Sequence, residues 1–560
     1  MGIWLTMPKV RLRLFVAFSA LLLVAIQSLF LTHAQRSGID VYAITNARIV
    51  TVSGSSIDKG TIVIRNGLIV AVGSNVTPPP DARVIDATGL IVYPGLIDSY
   101  TNLALPEASP APSPAAGGGA QFFLAATRPS PGGPNSTQPA GLQPEVMVED
   151  VIRANAADLE ASRNVGVTTA LTLPRAGIWM GQSALINLAG ETPQQMIVRS
   201  PVATHIGFTP LRGTYPGSLM GVFATLRQMM LDAQRYRDSI QVYERNPNGV
   251  RRPELDRSLA ALVPVIDGKM LVVMYANTER EIDRALDLAA EFKLKAVIAG
   301  GRESGRLASR LAQMKVPVLL SLNLPHRTTA ALPEADPEPL RVLRERVEAQ
   351  QTAGKLAKAG VRFGFQSGSL TNMSDLLVNA GKTIEAGLTP DDAIRAFTLW
   401  PAEILGVSSQ LGSVDKGKIA NLTITRGDLF DRNSRVAHVF IDGREVDLRP
   451  AAVGPAMRNT LSGSWTMTIN LGSDSKTITL NLQQEGERLV GSIEGPLGSG
   501  QIANASSLPE LRFTVPVNID GQTKEATFAG TATGNELRGT VTIEGRAPGT
   551  FTATRNSQPN

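Results

Sequence analysis

Between Val41 and Leu90 short β-branched runs alternate with turn signals, as in Ala43-Ile44-Thr45-Asn46-Ala47-Arg48-Ile49-Val50 and Gly60-Thr61-Ile62-Val63-Ile64-Arg65-Asn66-Gly67. Such runs, bounded by Asn and Gly, predict a small antiparallel sheet. The same pattern returns at 412–423 and 439–446, so both ends of this region are expected to join in one composite β-sandwich, over 35–90 and 405–450. Between them, β-rich runs alternate with segments of helical period, the pattern of parallel strands linked by crossover helices. Strands are expected at 90–97, 168–173, 269–275, 296–298, 316–320 and 361–365, and helices at 146–163, 218–236, 279–292 and 340–358. A further helix has a clear start, with Thr389 as N-cap, Pro390 in the first turn and Asp392 three residues after the cap. The expected fold is α/β: a (β/α)8 TIM-like barrel over 91–404, with its working face at the carboxyl ends of the strands.

Two stretches depart from this alternation. Residues 106–144 are rich in Pro, Ala, Gly and Ser and bury too little apolar surface to fold alone; they form either a lid over the barrel mouth or a surface insertion. From 460 to 554 the helical period disappears and short alternating strands recur between turns such as Asp520-Gly521. This predicts an appended all-β C-terminal domain over 456–560, a sandwich or a closed barrel, with Trp465 in its core.

The N-terminus changes the picture of where the chain works. Lys9, Arg11 and Arg13 precede the apolar run 14–26, and Thr32-His33-Ala34 supplies small residues before a cleavage point. This reads as a signal peptide over 1–34, which makes the chain exported, periplasmic or extracellular. The alternative is an N-terminal membrane anchor, since the 18 residues 14–31 are nearly long enough to span a bilayer. Cleavage after Ala34 would leave 526 of the 560 residues and lower the formal charge from +5 to +2. Near-neutrality offers nothing to a phosphate backbone, so no nucleic-acid partner is expected. The chain has no Cys, which excludes disulfides, a thiol nucleophile and a lipid-modified N-terminal Cys. Neither a Gly-x-Ser-x-Gly elbow nor a phosphate-binding loop is present.

The segment Pro94-Gly95-Leu96-Ile97-Asp98-Ser99-Tyr100-Thr101-Asn102 resembles the first barrel strand of the amidohydrolase superfamily, Pro-Gly-hydrophobic-Ile-Asp-x-His-x-His. Tyr100 and Asn102 stand where the two histidines belong. The resemblance runs from about Val41 to Val446 and is strongest toward imidazolonepropionase-like amidohydrolases. Further landmarks are Gly166-Val167-Thr168-Thr169, Gly181-Gln182-Ser183-Ala184, Ala386-Gly387-Leu388-Thr389-Pro390 and Leu399-Trp400-Pro401-Ala402. It implies hydrolysis of C–N bonds in rings or small peptides by one or two divalent metals such as zinc, which lower the pKa of bound water from about 15.7 to about 7.

Carried across residue by residue, the resemblance implies that the metal site is gone. Tyr275 and Asn277 in Val273-Met274-Tyr275-Ala276-Asn277 replace the fifth-strand histidine pattern, Gly300 replaces the sixth-strand histidine, and Gln366 replaces the eighth-strand aspartate. The fourth-strand lysine falls at Ala203. Counting agrees, because a chain cleaved after Ala34 keeps only His205, His326 and His438, whereas the family site uses four histidines. The alternative is a single-metal site of His205 and His326 with Asp98 or Glu303. Ser367 and Ser369 are candidate nucleophiles in principle and loop hydroxyls otherwise.

No metal or other cofactor is therefore expected. Tyr100, Asn102, Tyr275, Gly300 and Gln366 are the degenerate equivalents of catalytic positions, and Asp98, Asn277, Arg302 and His205 are candidate ligand-binding residues. A polar, mostly neutral mouth suits a small neutral ligand, or it merely keeps an unused cavity hydrated. The expected role is that of a non-catalytic partner of an active amidohydrolase paralogue, a member of a homo-oligomer, or a binding protein. The rival reading is an active C–N hydrolase with a rebuilt or metal-free site, acting on cyclic amides or small peptides. A third places the working surface on the C-terminal β-domain, binding wall glycans or an apolar ligand.

Overall fold

A computed structural model describes residues 41–106, 138, 141–154, 158–211, 215–325, 339–448 and 461–556, leaving out 369, 371, 432, 462, 472–473, 486–487, 497, 507–510, 520–521, 534–535 and 544–547. The signal-peptide stretch and nearly all of the 106–144 insertion lie outside the described residues. The chain divides into two compact units, Met1–Ala451 and Ala452–Asn560. Among the described residues no helix is long and apolar enough to cross a membrane.

In the first unit the composite β-sandwich is one eight-stranded sheet. Strands from the beginning of the chain, Val41–Ile49, Ile57–Arg65, Leu68–Gly73, Arg83–Asp86 and Ile91–Pro94, are completed by Leu422–Arg426, Arg435–Ile441 and Arg444–Val446. The join is antiparallel, with Leu422 opposite Pro94 and Ile424 opposite Val92. Ile44, Ile49, Ile62, Ile64, Leu422, Ile424 and Phe440 fill its core, the inward half of each alternating run.

The expected strand 90–97 is in fact two. Ile91–Pro94 belongs to the sandwich and Leu96–Thr101 is barrel strand one. Gly95 is the hinge: its N–H donates to the Asn421 carbonyl at 2.7 Å, and a Cβ there would lie 2.2 Å from Thr168 Oγ1. Strand two is Val167–Thr172, strand four Ala203–Gly207, strand five Leu271–Ala276, strand six Lys295–Gly300, strand seven Val318–Ser321 and strand eight Phe363–Gln366. These seven run parallel wherever they pair.

Strand three runs the other way. It consists of Trp179–Gln182 and Ala184–Asn187, antiparallel to strands four and two respectively. Six residues separate its start from strand two, too few for the dozen or more that a parallel crossover needs. The barrel interior holds Ile97, Leu171, Leu185, Ala203, Val273, Val297 and Leu319, while alternate residues such as Met274, Ile298, Val318 and Phe363 face outward onto the helices.

Helices Glu279–Phe292 and Leu340–Lys358 lie where the period places them, and Thr389 caps Pro390–Phe397 by accepting from Asp392 N. The helix expected at 218–236 runs on to Arg245, and Arg257–Ile266 is an additional helix despite Pro264. The expected helix 146–163 is broken into a 3-10 turn, Val148–Val151, and a helix, Asp158–Asn164. Ile152 is extended and Arg153 N donates to the Ala104 carbonyl at 2.8 Å, tying this segment to the end of strand one.

The second unit is a sheet of nine strands that closes on itself, because Asp474–Glu485 pairs with both Gly463–Leu471 and Arg488–Gly495. Its apolar interior includes Trp465, Met467, Phe513, Phe528 and Phe551. Closure removes the unpaired edges that an open sheet of this kind would expose.

Candidate functional site

Among the described residues no ladder pairs barrel strand eight with strand one; side chains close that seam. Ser99 Oγ donates to the Phe365 carbonyl at 2.7 Å, Ser367 N donates to Asp98 Oδ1 at 3.0 Å, and Ser367 Oγ donates to Asp98 Oδ2 at 2.5 Å. Gly364 permits the approach, since a Cβ there would meet Ser99 Oγ at 3.1 Å. Asp98 is thus buried with its oxygens committed to neighbours. Burial pushes its carboxyl up to about 6, against the opposing pull of the Ser367 hydrogen bonds.

Strand periodicity sends Tyr275 into the lumen with Val273, and a register shift within strand one brings Tyr100 there as well as Ile97. The two tyrosine rings stack with centroids 5.7 Å apart, and His205 from strand four lies 5.8 Å from Tyr100. His205 is 0% exposed and, among the described residues, neither ring nitrogen has a hydrogen-bond partner, an arrangement that costs about 1–3 kcal/mol per unpaired group. Burial alone lowers its pKa to about 3, so the imidazole is neutral at physiological pH. Burial, with Tyr275 adding to it, drives the Tyr100 hydroxyl far above its ordinary value, which keeps it a neutral phenol. Ala203, the position aligned with the family lysine, points inward one step deeper, among Val273 and Val297. His205 is the inward polar side chain of that strand.

The remaining predicted residues take structural partners. Asn102 Nδ2 donates to the Leu173 carbonyl at 2.8 Å. Gln366 Nε2 donates to the Leu319 carbonyl at 3.1 Å, and its buried Oε1 has no partner among the described residues. Asn277 N donates to Glu281 Oε2 at 2.9 Å. Its side chain lies against Gly300. Arg302 is exposed and lines a small hollow with Arg306, Glu345 and Glu348, apart from the tyrosine stack. Glu303 accepts from Glu279 N at 2.7 Å at the start of the helix after strand five.

These residues do not fit a divalent metal. A catalytic zinc needs three good ligands and an open position. Here the polar candidates at the mouth are two phenols, a neutral imidazole, an amide and a carboxylate already held by Ser367. Among the described residues no group of three or more His, Asp or Glu side chains is arranged to hold an ion. His326 and Ser369 lie outside the described residues, and His438 pairs with Glu445 Oε1 at 2.7 Å in the sandwich sheet.

The tie from Ser367 to Asp98 was not anticipated, because a loop serine carries no signal of a partner 269 residues away. The role of Glu281 was readable: Thr278-Glu279-Arg280-Glu281 is a capping-box spacing, and the structure forms that box.

Comparison with known proteins adds four findings. A model described as Amidohydrolase family matches residues 339–446. The imidazolonepropionase of Symbiobacterium thermophilum is 24% identical over 394 residues, covering 66% of this chain and 84% of that protein. Dihydropyrimidinase 1 of Caenorhabditis elegans is 48% identical over 48 residues, so this chain spans only 10% of that relative. Among solved structures, an amidohydrolase from Thermotoga maritima superposes with a TM-score of 0.61 at 25% identity, over 73% of this chain and all of that one.

Proposed function

The chain belongs to the amidohydrolase superfamily, and we propose that it is a member that has given up metal-dependent hydrolysis and acts by association, as the non-catalytic partner of an active amidohydrolase paralogue. The observation that carries this reading is the lumen itself. Where the family places histidine ligands, Tyr100 stacks on Tyr275 and His205 packs beside them, so side chains fill the space in which hydroxide would be generated. Without a metal, water keeps a pKa of about 15.7 and supplies almost no hydroxide at neutral pH. Ser367 is a poor substitute nucleophile, being buried with its hydroxyl donated to Asp98.

The N-terminal charge and apolar pattern supports export of the chain, with the partner sought in the same compartment. Edman sequencing of the chain recovered from cells tests this, and a first residue of Gln35 is the expected result.

The decisive experiment is elemental mass spectrometry on the purified, untagged chain after growth with zinc, manganese and iron, together with hydrolysis assays on imidazolonepropionate, a dihydropyrimidine and proline dipeptides. The expected result is no stoichiometric metal and no turnover. Metal retained through mild chelation, or turnover that is lost in Tyr275→Phe, would end the partner reading, and the turnover would establish the chain as a hydrolase.

A further inference from the structure

The end of strand six is built so that two loops can meet. Gly300 closes the strand at φ +85° and Gly301 follows at +63°, both in the left-handed region where a side chain is strained. A Cβ on Gly300 would lie 2.6 Å from Asn277 Oδ1 and 3.1 Å from its Cγ, and one on Gly301 would lie 2.7 Å from Val318 Cγ1. The loop carrying Asn277 is held in place. Its N–H donates to Glu281, its carbonyl accepts from Glu303 N at 2.9 Å, and the Ala276 carbonyl accepts from Gly301 N at 2.9 Å. Glu303 returns the link through Glu279 N. The turns after strands five and six are therefore stitched together mainly by backbone groups, which cannot rotate aside as a side chain can.

We infer that this double-glycine turn closes the sixth-strand ligand position to any side chain, so that the metal centre cannot be rebuilt by returning the histidines and the aspartate. The inference rests on the reading above, in which Gly300 stands at that position. Loss of the metal is then a property of the backbone as well as of four side chains. At four of the positions a reversion exchanges one side chain for another, whereas at Gly300 it must also displace the Asn277 side chain and place a Cβ on a left-handed backbone.

Thermal melts of the full chain test this. Gly300→Ala is expected to lower Tm by several degrees and to lower it less in an Asn277→Gly background, where the contact is relieved and only the backbone strain remains. An equal fall in both backgrounds, or none in either, overturns the inference. A second measurement uses the chain carrying Tyr100→His, Asn102→His, Tyr275→His, Gly300→His and Gln366→Asp, incubated with zinc and dialysed. It is expected either to lose its cooperative melt or to retain well below one zinc per chain; a folded chain that holds a full equivalent overturns the inference. The proposed function, by contrast, stands or falls on the unmodified chain, so either idea can fail alone.

Discussion

Two buried groups at the barrel mouth titrate in opposite senses. Between its ordinary value of 3.8 and its folded value of about 6, Asp98 holds a proton that the unfolded chain has released, so its contribution falls as pH rises through that window. His205 is the reverse. Between about 3 and 6.5 the unfolded chain binds a proton that the folded one excludes, so stability is lost as pH drops. Asp98 therefore offsets part of the acid sensitivity that His205 imposes. Asp98→Asn is expected to steepen the loss of stability between pH 7 and about pH 4.5, and His205→Leu to flatten it. Urea midpoints at the two pH values measure both; variant curves parallel to that of the unmodified chain would refute the assignment. At this scale the resemblance singled out positions 100, 102, 275, 300 and 366, and the structure places Tyr100 and Tyr275 against each other. What those residues touch was not legible in the sequence.

The helices were read correctly where apolar period and end signals agreed, as in Glu279–Phe292 and Leu340–Lys358. Thr278 begins the first of these with a full capping box, Glu281 accepting in turn from Asn277 N and Thr278 N. Thr278→Ala should cost about 1 kcal/mol, read from denaturant unfolding, and Thr278→Ser should restore most of it. Arg257–Ile266 was not expected; Pro264 has no N–H to bond within it, and the helix ends two residues later. Strand three was not among the expected strands, and its reversal had no signal because apolar pattern is blind to direction. Connection length carries that information, and it becomes usable only once the strand boundaries are known.

The whole molecule is two units with separate cores. The closed β-domain has its own anchor in Trp465, fully buried, with Nε1 donating to the Leu461 carbonyl at 3.0 Å and Arg555 above the ring at 5.4 Å. Residues 452–560 expressed alone should give a cooperative melt with blue-shifted Trp465 emission, and Trp465→Ala should remove about 3–5 kcal/mol. A non-cooperative melt of the isolated segment would show that its folding depends on the first unit.

Local pattern was enough to determine the alternation of strand and helix between two β-rich ends, the return of the second end to the first, and the all-β character of the C-terminal unit, since each follows from hydrophobic period and turn signals. Tertiary structure alone decided what became of the space. Ser99 reaches Phe365 across 266 residues and Asp98 reaches Ser367 across 269. Tyr100 finds Tyr275 and His205, and Arg302 leaves the mouth for the hollow beside Glu348. Contacts between residues so far apart in sequence depend on how strands close into a barrel and how loops meet at its rim, and no periodicity within a single segment carries that information.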